Sequence, residues 1–331
     1  MKKFRIQWIA ALMASVALLL TGCAGGNRTD DGALVIGFSD WPGWVAWQVG
    51  IEKGWFEEAG LNVRFEWFDY VESMDAFAAG QIDAVSMTNG DALVTAATGA
   101  PSRMILINDF SNGNDMIVAR PGISSVTELA GMRIGVEVGY VCHLLLLQAL
   151  EMNGMSESDV TLVNIPTHEL PQAFAAGDVD AVAAWQPNSS QALQAVAGST
   201  AIFTSADVPG LIFDVLAVNP ASLSAHREEW TGVVQVWYRI VDFILDEATQ
   251  PEAIRIMAAR VGISPEEYAG FLAGTRILTL EEAQAAFAPG EGLDSIFGSS
   301  ALADAFNVAN GVYDEPQNIA ELIYPAITLG L

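Results

Sequence analysis

From Leu34 onward, short apolar runs alternate with stretches of helical period. Runs of four to eight apolar residues bounded by turn residues predict buried strands, and apolar residues at three- and four-residue spacing predict helices. Strands are predicted at 34–38, 62–68, 82–87, 103–108 and 116–119, then at 132–136, 160–165, 181–184 and 213–218. Helices are predicted at 73–79, 91–98, 142–152, 168–176 and 188–196. Beyond Pro220 the pattern is mainly helical, with helices at 228–245, 251–259, 265–272, 281–287 and 300–312. Alternating strands and helices predict an α/β fold with mostly parallel sheets.

One motif occurs twice. Phe77-Ala-Ala-Gly-Gln-Ile-Asp83-Ala-Val85 matches Phe174-Ala-Ala-Gly-Asp-Val-Asp180-Ala-Val182 at an offset of 97, and Ile36-Gly37 matches Ile134-Gly135 at 98. A repeated helix–strand unit predicts two similar lobes, with Asp83 and Asp180 as structural caps. The expected divisions are 33–118 for the first part of lobe one, 119–214 for lobe two, and 215–331 for a helical part that returns to lobe one. Extended segments near 109–119 and 208–218 would be the two crossings. Ligands in open α/β sheets bind beyond the carboxyl ends of strands. Those positions hold Asp40, Trp41 and Trp44 after the first strand, and Asn89 and Asp91 after the third. In the second lobe they hold Glu137, Tyr140 and Trp185, and Asp214 lies on the return crossing. Asp40 is also placed to cap the next helix, and Trp44 and Trp47 read equally well as core.

The chain opens Met1-Lys-Lys-Phe-Arg5 with an apolar run through Leu20, a basic and then hydrophobic leader of secretory type over 1–22. It ends in Leu20-Thr-Gly-Cys23, and 24–32 is a polar, Gly-rich tether. No later run reaches the roughly 18 apolar residues of a spanning helix. Cys142 is the single cysteine after Cys23, which excludes a disulfide framework within the folded part. The formal charge is −26. The leader takes away three of the 14 basic residues and no acid, which leaves −29. Such a surface excludes nucleic acid, which needs cationic patches. No two histidines have ligand spacing, and no metal is expected.

Several motifs carry a resemblance. Leu20-Thr-Gly-Cys23 resembles the bacterial lipobox. It joins Glu52-Lys-Gly-Trp-Phe-Glu-Glu-Ala-Gly-Leu-Asn-Val63, the paired Phe-Ala-Ala-Gly motifs and Leu146-Leu-Gln-Ala-Leu-Glu-Met-Asn-Gly154. Together they resemble the solute-binding lipoproteins of nitrate/sulfonate/taurine-type ABC importers. That implies a type II periplasmic-binding-protein fold, two α/β lobes joined by a two-segment hinge that closes on a small solute. It also implies an ABC permease with its cytoplasmic ATPase as partners. The protein would be a monomer without cofactor, outside the cytoplasmic membrane and anchored by acyl chains on Cys23. Ser39-Asp-Trp-Pro-Gly-Trp44, Asn108-Asp-Phe-Ser-Asn-Gly-Asn-Asp115 and Gly274-Thr-Arg276 resemble a narrower subgroup associated with urea carboxylase and guanidine metabolism.

The cleft loops contain Asp40, Asp91, Asp109, Asp115, Glu137 and Asp214 beside indoles, and no Lys or Arg. Carboxylates accept paired N–H donors and indole faces attract cations, so a planar cation such as guanidinium is the expected ligand. Arg276 is the one residue positioned to oppose this, if it reaches the cleft and anchors an oxyanion such as nitrate, bicarbonate or a sulfonate. A carboxylate cluster holding Ca²⁺ could serve the same end. A sensor role, and a relation to thiamin-pyrimidine proteins, stay open as alternatives. Enzymatic activity is not expected, because no nucleophile elbow or phosphate loop is present.

If the leader is read correctly, Cys23→Ser abolishes acylation. Labelled fatty acid still incorporated into the variant would contradict it.

Overall fold

The computed structural model describes residues 32–331. The leader, Cys23 and nearly all of the tether lie outside the described residues. Among the described residues eleven strands form two sheets: β1 Leu34–Phe38, β2 Val63–Trp67, β3 Ala84–Thr88, β4 Arg103–Ser111, β5 Met116–Ala119, β6 Arg133–Val136, β7 Thr161–Asn164, β8 Ala181–Ala184, β9 Thr200–Thr204, β10 Phe213–Val218 and β11 Thr275–Ile277. The first sheet has the order β11-β4-β10-β3-β1-β2 and the second β7-β6-β8-β5-β9. In the first, β1 is parallel to β2 and β3, while β10 runs antiparallel between β3 and β4. In the second, β6 is parallel to β7 and β8, while β5 runs antiparallel between β8 and β9.

The two sheets are therefore the same arrangement built twice, and each receives its antiparallel strand from the other. β5 leaves the first sheet to complete the second, and β10 returns to complete the first. The turnovers lie at 112–115, inside the first expected crossing, and at 205–212, overlapping the second. Met116–Ala119, expected at the end of lobe one, pairs in the second sheet; Asp214, expected at the end of lobe two, sits in the first. The C-terminal helices Leu280–Ala286 and Ile319–Leu322 contact β4 of the first sheet. The amphipathic helix Arg227–Leu245 buries Trp230, Val233, Val234, Trp237 and Ile240, and Trp237 lies 4.5 Å from the Trp47 ring.

The repeated motif has the same chemistry in both copies. Asp83 Oδ2 accepts the Val35 N–H at 2.9 Å, and Asp180 Oδ2 accepts the Arg133 N–H at 2.9 Å. The backbone N–H of each aspartate returns a bond to the same partner's carbonyl, at 2.8 Å in both. These side chains tie neighbouring strands together; they do not cap helices. Gly37 and Gly135 complete the equivalence. A Cβ at Gly37 would stand 2.6 Å from Ile82 Cδ1, and one at Gly135 would stand 3.4 Å from Val179 Cγ2 and 2.9 Å from Leu170 Cδ2. Ile82 and Val179 are themselves equivalent in the repeat, so each glycine leaves room for the residue that precedes its aspartate.

Two strands escape the periodic pattern. β9 is exposed at Thr200 and Ala201, and β11 is three residues at an edge, so neither shows an apolar run. The helix Pro220–Ala225 is likewise unforeseen; Asn219 caps it by accepting the Ala221 N–H at 2.9 Å, and Pro220 opens it. Among the described residues no helix is long and apolar enough to cross a membrane.

Asp83→Ala and Asp180→Ala each remove one hydrogen bond at equivalent positions, so each is expected to cost about 1 kcal/mol. Urea unfolding of the two variants checks this, and a clear loss at one position with none at the other would contradict the equivalence.

Candidate ligand-binding cleft

β1 delivers its chain end into Ser39–Gly43, and a single 3-10 turn, Trp44–Ala46, leads into the helix Trp47–Glu52. The Tyr268 hydroxyl fixes this loop by donating to the Pro42 carbonyl at 2.8 Å. The Trp41 indole N–H donates to Asp109 Oδ1 at 3.0 Å. Trp44 stacks on Tyr70 with centroids 5.1 Å apart, and Tyr70 meets Trp185 edge-on at 5.2 Å. Tyr70 belongs to the helix Tyr70–Ala78 beside the first sheet, and Trp185 follows β8 of the second. The Tyr70–Trp185 contact thus joins the two lobes.

These rings enclose a small inner cavity lined by Trp41, Trp44, Tyr70, Trp185, Asp115 and Asp214. It measures about 10 Å³, room for about one water. Asp214 and Asp109 face each other across the β10–β4 pairing, both fully buried. Asp109 Oδ2 and Asp214 Oδ2 have no hydrogen-bond partner, nor do the indole nitrogens of Trp44 and Trp185. Gly43 is what admits Asp109, because a Cβ there would lie 1.9 Å from Asp109 Oδ2.

Burial dominates the electrostatics. Desolvation pushes Asp109 from 3.8 to about 7, against the lowering effects of Asp214 and the Trp41 N–H. Burial and then the neighbouring Asp109 raise Asp214 well above the ordinary carboxylate range. Asp115 is raised to about 6 by burial. Cys142 Sγ lies 3.7 Å from Asp115 Oδ1, and its thiol is pushed far up by burial and by that carboxylate. Asp91 is raised to about 7 by burial although Tyr70 donates to it at 2.6 Å. Among the described residues none of these four aspartates forms an ion pair with a Lys or Arg.

The expected site residues fall into three groups. Trp41, Trp44, Trp185 and Asp214 meet at the inner cavity. Asn89, Asp91 and Tyr140 line an adjoining small cavity. Asn89 is occupied: its Nδ2 donates to Ser299 and Ser300 at 3.0 Å, and its Oδ1 accepts the Phe213 N–H at 3.1 Å. It fastens the C-terminal helix Ile296–Ala309 to the return crossing. Asp40 and Glu137 line an outer cavity of about 240 Å³, together with Asp69, Glu72, Thr167 and His168. Glu137 accepts the Thr167 hydroxyl at 2.9 Å and its N–H at 3.3 Å. Asp40 is raised to about 6 by burial; the Trp185 indole, though not in hydrogen-bonding geometry with it, lies close enough to lower it. No side-chain cap from Asp40 begins the next helix, whose N-terminal turn starts at Gly43.

Arg276 does not reach the cleft; it is half exposed and paired with Glu282 at the surface. Trp47 is core, with its indole donating to Ser86 at 3.2 Å. His143 is buried and accepts the Gly139 N–H at 3.2 Å. Among the described residues no group of three or more His, Cys, Asp or Glu could hold a metal ion. Tyr70 was not foreseen at all. Its helix was expected to begin at Ser73, which left the ring in a loop with no signal to single it out.

The raised carboxyls set a pH dependence. The folded state binds these protons more tightly than the unfolded chain, so their stabilisation is complete below about pH 4 and is lost as pH rises toward 7 and above. At about 1.4 kcal/mol per unit, each contributes on the order of a few kcal/mol. The ligand-free melting temperature is expected to fall from pH 5 to pH 8, and Asp214→Asn to flatten that slope. An unchanged slope in the variant would contradict the assignment.

With the site in view, its relatives can be placed. A binding protein of Brucella abortus strain 2308 is 27% identical over 195 residues, 58% of this chain and 60% of that protein. The match therefore spans about 60% of the relative's length. Among solved structures, the alkanesulfonate-binding protein SsuA from Xanthomonas axonopodis pv. citri, bound to MOPS, has a TM-score of 0.71 at 19% identity, with 89% of this chain and 98% of that one covered. The periplasmic nitrate-binding protein NrtA from Synechocystis PCC 6803 gives 0.68 at 11%, covering 89% and 86%. The desulfurization enzyme DSZB gives 0.64 at 17%, covering 90% and 98%. These likenesses show the fold, two α/β lobes of the periplasmic-binding-protein kind. The profile of the NMT1-like family matches residues 28–258, and the chain belongs to that family.

Proposed function

We propose that this chain is the solute-binding component of an ABC importer, held outside the cytoplasmic membrane by a lipid on Cys23, and that it closes on a small planar cation such as guanidinium. One observation carries the ligand: buried Asp115 and Asp214, with Asp109 behind them, line an aromatic box to which no basic residue contributes. Buried carboxylates without a partner are costly, and a cation with several N–H donors relieves that cost. The acidity of the whole surface does not account for it, because surface acids stay in water and these do not. Four heavy atoms at about −1.5 kcal/mol each give about −6 kcal/mol, a dissociation constant on the order of tens of micromolar. Admission requires the cavity to widen, and parting of Tyr70 from Trp185 does this by opening the cleft. Trp41, Trp44, Tyr70 and Trp185 are then the stacking walls, and Asp214 and Asp115 the acceptors. Asp40 and Glu137 stand at the outer entrance. Permease and ATPase are the partners.

A binder is favoured over an enzyme because burial and the neighbouring Asp115 carboxylate keep the buried Cys142 as a thiol, so it is not held as a nucleophilic thiolate. An oxyanion is the second reading. Likeness to sulfonate- and nitrate-binding proteins supports it, as do the unpartnered indole N–H groups of Trp44 and Trp185. It requires the aspartates to be protonated, so that no carboxylate repels the anion.

Isothermal titration separates the two. Wild type is expected to bind guanidinium, and Asp214→Asn to weaken it by about 1.5–3 kcal/mol, the worth of a charged hydrogen bond. Glu137→Gln should have the smaller effect, since Thr167 already holds that carboxylate. Heat with nitrate and none with guanidinium would overturn the cation in favour of the oxyanion.

A further inference from the structure

We infer that solute and proton compete for one pair of carboxyls: without solute the protein holds a proton between Asp109 and Asp214, and a bound cation expels it to solvent. This rests on the cation reading above and adds its regulation by pH.

The geometry comes from the sheet. Asp214 on β10 and Asp109 on β4 are direct cross-strand neighbours, a position where two like charges destabilise the pairing. Neither can turn away to water, because both are fully buried. Each keeps one oxygen without a partner, while the other oxygen of Asp109 takes the Trp41 N–H. Two carboxyls confined in this way titrate as a unit that retains one proton.

The charged and titratable groups around the pair supply no cation. Asp115 on the crossing and Asp91 on the helix Asn89–Ala97 both add negative potential at Asp214. From the helix Pro265–Ala273, Tyr268 faces Asp109 with a neutral phenol, and from the helix Val141–Met152, Cys142 faces Asp115 with a neutral thiol. Tyr70 donates its hydroxyl to Asp91. The edge strand β11 carries Arg276, which points outward to Glu282. Among the described residues the proton is thus the one positive charge available to the pair in the solute-free protein.

The exchange balances. Before binding, the pair carries one proton and a net charge of −1. Afterwards two carboxylates and one monovalent cation also sum to −1, and the proton has gone to bulk water. The buried charge does not change, so solute entry brings no uncompensated charge into the cleft.

Titration of the protein with guanidinium chloride at pH 7.5, in two buffers of different ionisation enthalpy, counts the protons released. About one per guanidinium is expected, with affinity rising toward tenfold per pH unit from pH 7 to 8. Infrared spectra should show a deuterium-sensitive carbonyl band of a protonated carboxyl, present without solute and lost on adding guanidinium. Asp109→Asn combined with Asp214→Asn leaves Asp91 and Asp115 in place, so the difference from wild type isolates the pair; it should remove both the band and the release. If that variant does not fold, the wild-type band and the two-buffer titration decide alone. Binding with no proton release and flat affinity from pH 5 to 8 would overturn the exchange and leave the cation reading standing. No binding of guanidinium, with the band intact, would overturn the cation reading and the exchange with it. Proton uptake on titration with sodium nitrate would do the same.

Discussion

The insertion of β10 between β3 and β4 is the constraint on which the cleft depends. A strand returning from the other lobe must run antiparallel there, and its register is set by bonds on both sides. That register puts Asp214 opposite Thr88 on one flank and Asp109 on the other. A slip by one residue would turn Asp214 to the opposite face. The acidic floor of the box is therefore a product of sheet topology, and the loops above it supply only the walls. The matching insertion of β5 in the second sheet carries the chain through Asp115, so both crossings bring a carboxylate to the same place.

Two populations of acids are present and obey different physics. Most of the chain's 40 carboxylates are in solvent, where mutual repulsion is screened and no ligand is implied. Asp91, Asp109, Asp115 and Asp214 are out of solvent and lack counter-ions. The protein tolerates them through hydrogen bonds from Tyr70, Trp41 and the Cys142 thiol and by holding protons. A core would gain stability by replacing them with apolar groups of the same shape, so their presence reports on something other than folding.

Much of this was legible in the sequence, for identifiable reasons. β8 and β10 were read to the residue because fully buried strands are continuous apolar runs between turn signals. The repeat was legible because Asp83 and Asp180 do the same local task in each copy. The site was legible in kind but not in detail. Strand-end logic located Trp41, Trp44, Trp185 and Asp214, yet it chose Asn89 for the same reason, and Asn89 is consumed by Ser299, Ser300 and Phe213. Nothing local distinguishes an amide that binds solute from one that binds a helix 210 residues away. Tyr70 was hidden by a helix start placed three residues late. The pairing of Asp109 with Asp214 depends on register between strands a hundred residues apart, which periodicity does not encode.

Gly43 has a consequence for how such a cleft could diversify. Any other side chain there collides with the Asp109 carboxylate, so the loop cannot be varied without dismantling the acidic floor. The first lobe is in this sense closed to mutational exploration around its charge. Trp185 stands on the opposite lobe, where its ring meets Tyr70 edge-on, and the contact of Gly43 with the carboxylate floor does not involve it. New selectivity in a lineage of such proteins would accumulate on that wall while the floor stayed as it is.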